Sequence, residues 1–157
     1  MGKKSKKPVV VAVSGGFDPL HIGHVRMMEA AKKLGDKLIV IVNGDSWLIR
    51  KKGFAFMPEK ERAEIIFSLK AVDDVYIHHS ESYDVSAALK KIHPDIFANG
   101  GDRDEKNAKD PKSSLYKDIE MCKKLGIEMV FNVGHGGKVQ SSSWLTAKVP
   151  VKANGKK

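Results

Sequence analysis

The sequence predicts an α/β fold: an open, doubly wound, parallel five-stranded sheet with helices on both faces. Three observations carry the prediction. Short β-branched apolar runs alternate with amphipathic stretches in which Leu, Ile, Ala and Met recur three or four positions apart. The runs are apolar without alternation, as strands are when both faces of a parallel sheet are covered. Glycine, proline and small polar residues stand at the boundaries between them.

The elements follow in order. Val9 to Ser14 reads as the first strand, and Ile22 to Leu34 as a helix stopped by Gly35. Leu38 to Asn43 is the second strand, and residues 43 to 57 read as a loop. Pro58 to Lys70 reads as a helix with proline in its first turn and Glu59 and Glu61 near its positive end. Val75 to His78 is the third strand, followed by a helix that runs to Ile92 from a cap at Ser82 or Asp84. Ile96 to Asn99 is the fourth strand, Ser113 or Ser114 caps a helix to Leu125 before Gly126, and Met129 to Val133 closes the sheet. Right-handed crossovers make this a Rossmann-like sheet, which binds ligands beyond the carboxyl ends of its strands. The expected site therefore lies in the loops at residues 14 to 24, 43 to 57, 99 to 112 and 134 to 143.

At 157 residues, with 41% hydrophobic and 30% charged, the chain has the size of one compact domain with a core. Of its net charge of +9, eight units come from Lys3, Lys4, Lys6 and Lys7 at one end and Lys148, Lys152, Lys156 and Lys157 at the other. The reading is a flexible lysine-rich tail at 1–7, a domain at 8–146 and a second flexible lysine-rich tail at 147–157. A nearly neutral body argues against a nucleic-acid groove built into the fold, so no specific nucleic acid is expected. No apolar run approaches the roughly 20 residues that span a bilayer, and the first residues lead into too short an apolar segment for a secretory signal. A cytoplasmic protein without a membrane span is the expectation. The single cysteine, Cys122, allows no internal disulfide and no multi-thiolate zinc site.

The chemistry concentrates after the first strand. VVVAVS runs into GGFDPLHIGH, where Gly15 and Gly16 permit close backbone approach and a helix begins near Ile22. Helix-start amides and the dipole favour an anion there, and His21 and His24, three apart, bring two donors to one side of the first turn. A zinc reading of the pair lacks a third ligand at metal spacing.

This segment, Gly15-Gly16-Phe17-Asp18-Pro19-Leu20-His21-Ile22-Gly23-His24, resembles the HxGH signature of the cytidylyltransferase-like nucleotidyltransferases. Similarity extends through KKLGDKLIVIVNGD, PEKERAEI, AVDDV and PDIFANGGDR, over roughly residues 8 to 146. Within the family, the chain is similar to glycerol-3-phosphate cytidylyltransferases and heptose-phosphate nucleotidyltransferases. The resemblance implies that a small phosphorylated acceptor attacks the α-phosphate of a nucleoside triphosphate, with Mg²⁺ or another divalent cation, and that pyrophosphate leaves. It favours CTP. The alternatives are ATP with a sugar phosphate, flavin mononucleotide or pantetheine phosphate, or a nucleotide-binding module without catalysis. It also implies a homodimer.

The resemblance implies roles for particular residues. His21 and His24 would brace the pentacoordinate phosphorus, with Lys51 of the second loop as a mobile phosphate contact and Lys52 as its substitute. Gly15, Gly16, Phe17, Asp18 and Gly23 would shape the nucleotide site, and Arg62 would point back toward the same opening. In the third loop Asp102 would hold a base edge or a metal, and Arg103 an acceptor phosphate. Ser141, Ser142 and Ser143 resemble a segment that grips the β- and γ-phosphates, although Gln140 stands where an apolar residue is usual and Thr146 where many relatives carry arginine. Lys138 or Lys148 would compensate as a point charge. Trp47 is a candidate cover for substrate.

Overall fold

A computed structural model describes residues 5–101, 108–134 and 140–149. The chain runs β1 (Val10–Gly15), α1 (Ile22–Lys32), β2 (Lys37–Asn43), α2 (Asp45–Lys52), α3 (Glu59–Phe67), β3 (Asp74–His78), α4 (Ser86–Ile92), β4 (Ile96–Ala98), α5 (Ser114–Leu125), β5 (Glu128–Val130) and α6 (Ser142–Ala147). All strand pairs are parallel, in the order β3-β2-β1-β4-β5. The chain switches direction across the sheet between β1 and β4, and the crevice of such a sheet opens beyond the strand ends at this point.

Both faces of the sheet are covered. Val11, Val13, Val40 and Val42 pack with Met28 and Ala31 of α1 and Ile66 of α3. On the other face Ala12, Ile41 and Phe97 pack with Ala88 and Leu89 of α4 and Cys122 of α5. β1 is central, and the loop at its carboxyl end consequently sits over the middle of the sheet.

The observed elements differ from the sequence expectation at several places; α1 stops at Lys32 and not Leu34, and the last strand is Glu128–Val130 and not Met129 to Val133. The loop expected at 43 to 57 contains α2, a two-turn helix with Gly44 as N-cap, Asp45 in its first turn and Arg50, Lys51 and Lys52 in its last, each charge complementing the dipole. It ends at Gly53, whose φ of +89° is the left-handed conformation that favours glycine. Pro58 is the N-cap of α3, not its first turn, and the helix stops at Phe67. Neither Ser82 nor Asp84 is the N-cap of α4; Val85 is, while Asp84 Oδ1 accepts the Ser86 amide at 3.1 Å. Ser113 does cap α5, its Oγ accepting the Tyr116 amide at 3.1 Å. Among the described residues no helix is long and apolar enough to cross a membrane.

Candidate active site

The turn between β1 and α1 places both histidines at a helix start. His21 is the N-cap of α1; its Nδ1 accepts the Gly23 amide at 3.1 Å, and His24 Nδ1 accepts the His21 amide at 3.2 Å. This is a capping box built from imidazoles, in which two otherwise unpaired helix-start donors are satisfied reciprocally. The rings stack with centroids 3.7 Å apart and an interplanar angle of 23°. A neutral ring that accepts at Nδ1 carries its hydrogen on Nε2, so the hydrogen bonds themselves assign the tautomer. The sequence suggested that backbone amides would meet the anion directly. Two of them are instead spent on imidazoles, and their polarisation passes through the rings to the Nε2 hydrogens.

His24 is held neutral. Burial, chiefly, and the neighbouring His21 push its pKa down to about 3, and the Phe17 ring stands nearly perpendicular to the His24 ring with centroids 5.0 Å apart. Two stacked rings this close cannot both be charged without strong repulsion, which the depressed pKa avoids.

Gly15 and Gly16 are small because protein side chains fill the space beside them. A Cβ on Gly15 would meet the Phe17 ring at 2.9 Å, and one on Gly16 would meet Leu48 Cδ2 at 2.9 Å and Trp47 Cζ3 at 3.2 Å. Phe17 is buried, with a φ of +51°. Asp18, also buried, serves as a bracket: Oδ2 accepts the Phe56 amide at 2.7 Å, Oδ1 accepts the Met57 amide at 2.6 Å, and Lys52 Nζ pairs with Oδ2 at 2.9 Å. Lys52 Nζ also donates to the Asp18 carbonyl at 2.6 Å. The carboxylate thus fastens the segment after α2 to the first loop, with its charge matched by Lys52. Lys51 is exposed on the same last turn, its Nζ 4.5 Å from the Trp47 ring. Trp47 itself is packed, and its Nε1 donates to the Tyr83 carbonyl at 3.1 Å.

Arg62 requires a correction. It does point back toward the opening, but its side chain is fully buried and committed to the framework. Nε donates to the Met57 carbonyl at 2.9 Å, Nη1 to the carbonyls of Gly16 and Asn43 at 2.7 Å each, and Nη2 to Asp45 Oδ1 at 2.7 Å. One guanidinium fork therefore joins the first loop, the end of β2, the start of α2 and the entry to α3. Four of its five N–H donors are thus spent on the framework, and a side chain sealed from solvent is a framework residue and not the phosphate contact the sequence suggested.

The serine segment meets the first loop. Ser142 Oγ donates to the Pro19 carbonyl at 2.8 Å, which brings the start of α6 against the histidine turn. Ser141 is the buried N-cap of α6, and Ser143 is exposed. Gln140 accepts the Ser141 amide through Oε1 at 3.0 Å, giving the polar residue at that position a local task. Thr146 Oγ1 bonds back to the Ser142 carbonyl at 3.0 Å. Asp102, Arg103 and Lys138 lie outside the described residues.

Three features escaped the sequence reading: α2 itself, the Asp45–Arg62 pair, and Glu59. Glu59 Oε2 accepts the Asp45 amide at 2.8 Å while Oε1 meets His79 Nε2 at 2.7 Å. The acid in the first turn of α2 was the available signal. Among the described residues no three His, Cys, Asp or Glu side chains converge as a metal cage, and both oxygens of Asp18 are already engaged. The described residues therefore do not form a dedicated protein site for Mg²⁺.

Comparison with known proteins bears on the family and the fold. Residues 12–134 match the family model described as cytidylyltransferase-like. An FAD synthase of Thermococcus onnurineus is 40% identical over 104 residues, 66% of this chain and 69% of that protein. A bifunctional protein HldE of a Nitratiruptor species is 42% identical over 103 residues, 64% of this chain but 21% of that longer protein. The crystal structure of a lipopolysaccharide core biosynthesis protein from Thermoplasma volcanium superposes with a TM-score of 0.67 at 28% identity, covering 83% of this chain and all of that one.

Proposed function

Since this chain belongs to the cytidylyltransferase-like family of nucleotidyltransferases, we propose that it transfers the adenylyl group of ATP to flavin mononucleotide, forming FAD and pyrophosphate. The observation that carries the chemistry is the imidazole capping box: two rings stacked at 3.7 Å at the start of α1, each with its Nδ1 accepting a backbone amide. The similarity to FAD synthases supports ATP and a flavin acceptor over the CTP that the resemblance first favoured.

An oxygen of the acceptor phosphate, already ionised at neutral pH, attacks the α-phosphorus, and the bond from that phosphorus to the bridging oxygen of the leaving pyrophosphate breaks. No general base is required. Nε2 hydrogens of His21 and His24 donate to the α-phosphate oxygens as charge gathers there; preorganised donors of this kind act without reorganising at the moment of reaction. Lys51, exposed at the end of α2, neutralises charge on the phosphate groups. Ser142 fixes the start of α6 against the same loop through the Pro19 carbonyl, and the hydroxyls of Ser141 and Ser143 would meet the outer phosphates. A divalent cation would enter on the triphosphate, held by its oxygens and by water.

A second reading, adenylyl transfer to a sugar phosphate, is favoured by the similarity to HldE. One experiment separates the two. The protein is incubated with Mg²⁺, ATP or CTP, and FMN, heptose 1-phosphate or glycerol 3-phosphate, and pyrophosphate and the nucleotide product are measured. FAD is the expected product. Pyrophosphate release only with a sugar phosphate selects the second reading, and nucleotide binding without release under any acceptor rejects both. His24→Ala should lower turnover about 10² to 10³-fold, the usual effect of removing one such donor.

A further inference from the structure

Helix α2 is attached to the histidine turn along its length. At its start, Asp45 Oδ1 accepts Arg62 Nη2 at 2.7 Å while Arg62 Nη1 donates to the Gly16 carbonyl at 2.7 Å. Glu59 Oε2 accepts the Asp45 amide at 2.8 Å. In its middle, Trp47 and Leu48 fill the space beside Gly16. At its end, Lys52 Nζ pairs with Asp18 Oδ2 at 2.9 Å and donates to the Asp18 carbonyl at 2.6 Å. The chain leaving the helix is held as well, because Asp18 accepts the Phe56 and Met57 amides and Arg62 Nε donates to the Met57 carbonyl. Asp18 and Arg62 are 2% and 0% exposed, so water competes little for these bonds.

The family resemblance implies a mobile lysine in this segment, whereas the structure ties the segment down. The last turn of α2 carries Lys51 beside Lys52. It cannot swing without releasing a buried carboxylate, and a buried charge left without its partner is costly. The Lys51 ammonium rests 4.5 Å from the Trp47 ring, and that ring is itself fixed through Nε1 to the Tyr83 carbonyl at 3.1 Å.

We infer that Asp18 is a positioning residue: through Lys52 it fixes the last turn of α2 on the histidine turn, so that Lys51 stands in place before the nucleotide arrives. For what Lys51 then does, the inference rests on the proposed transfer; the clamp itself is a property of the protein without substrate. Asp18 thereby leaves the nucleotide-binding set and acts through Lys51. A charge held in advance needs no reorganisation as the transition state forms, and a displacement of about 1 Å can cost about 10²-fold in rate.

Two measurements test it. Amide hydrogen exchange without nucleotide reads the clamp: the Gly53, Phe56 and Met57 amides should be protected in wild-type protein, and Gly53 should exchange about 10-fold faster in Lys52→Met. Turnover with ATP, Mg²⁺ and FMN reads the consequence, in Asp18→Asn, Lys52→Met and Lys51→Ala and in each of the first two combined with Lys51→Ala. Asp18→Asn and Lys52→Met should each lower kcat about 10- to 100-fold. In the Lys51→Ala background the same changes should lower it further by no more than about 2-fold, since residues that act through one another are not additive. Should Asp18→Asn fail to fold, Lys52→Met, which leaves both amide bonds to Asp18 in place, carries the comparison. Losses that multiply in full, or an unchanged kcat in Lys52→Met, overturn the inference. So does fast exchange of these amides in wild-type protein that slows only when ATP and Mg²⁺ are added, which is the behaviour of a mobile segment. Protection that is lost in Lys52→Met, in a protein that releases no pyrophosphate with any acceptor, leaves the clamp standing and removes the transfer reading.

Discussion

Lowering the pH should destabilise this protein through His24 in a window the structure defines. In the unfolded chain that imidazole takes a proton near its ordinary 6.5, whereas in the folded chain burial and the stacked His21 defer protonation to about 3. Between those values the unfolded state binds one more proton, so stability is present above pH 6.5 and falls as the pH drops through the window. From pH 6.5 to 4.5 the difference amounts to two pH units at about 1.36 kcal/mol each, or about 2.5 kcal/mol. His78, also buried and also depressed, adds in the same direction; Asp73, Asp84 and Glu59, whose carboxyls are held low by hydrogen bonds and ion pairs, add their losses at lower pH. A variant isolates the His24 share. His24→Asn keeps an acceptor oxygen where Nδ1 receives the His21 amide but has no proton to gain. Urea denaturation of both proteins at pH 7.5, 6.5, 5.5 and 4.5 should show wild-type protein losing about 2 to 3 kcal/mol more than the variant across the series. Parallel curves would refute the claim that the folded state keeps this ring neutral.

Two further perturbations test the framework. Arg62→Lys keeps the charge but cannot reach four acceptors at once, leaving most of the carbonyls of Met57, Gly16 and Asn43 without their donor; a loss of about 3 to 5 kcal/mol in urea denaturation is expected, and a loss below about 1 kcal/mol would show that the fork is not what joins these segments. Gly16→Ala drives a methyl into Leu48 and Trp47 and should cost about 1 to 3 kcal/mol while raising KM for the triphosphate, because α2 carries Lys51; unchanged KM alongside reduced stability would separate packing from substrate binding.

Much of the fold was legible because buried parallel strands leave unalternating β-branched runs and because Ser113 and Gly126 mark the two ends of α5, whereas α1 ends at Lys32, short of the Gly35 expected to stop it. α2 was not, although Asp45, the basic last turn and Gly53 all announce a helix. Eight residues with only Trp47 and Leu48 buried give too little apolar periodicity to outweigh two flanking glycines. The histidine pair was visible from spacing, whereas its reciprocal capping was not, since imidazoles at an N-cap are rarer than serine or aspartate. Arg62 misled for a general reason: arginine is seldom fully buried, and nothing in PEKERAEI says that three carbonyls from separate segments will surround it. Asp18 was picked out for the right loop, but its grip on residues 56 and 57 is a long-range bond that no local pattern encodes.

The Ser142 hydroxyl and the Pro19 carbonyl it binds are 123 positions apart, and β1 needs β4 as well as β2 to be flanked on both sides. On the ribosome, the loop after β1 therefore waits for a contact made 123 positions later. A nascent chain halted just short of Ser142 already contains every strand yet lacks the strut from α6. Translation order thus holds back the strut beneath the histidine turn until Ser142 has been added.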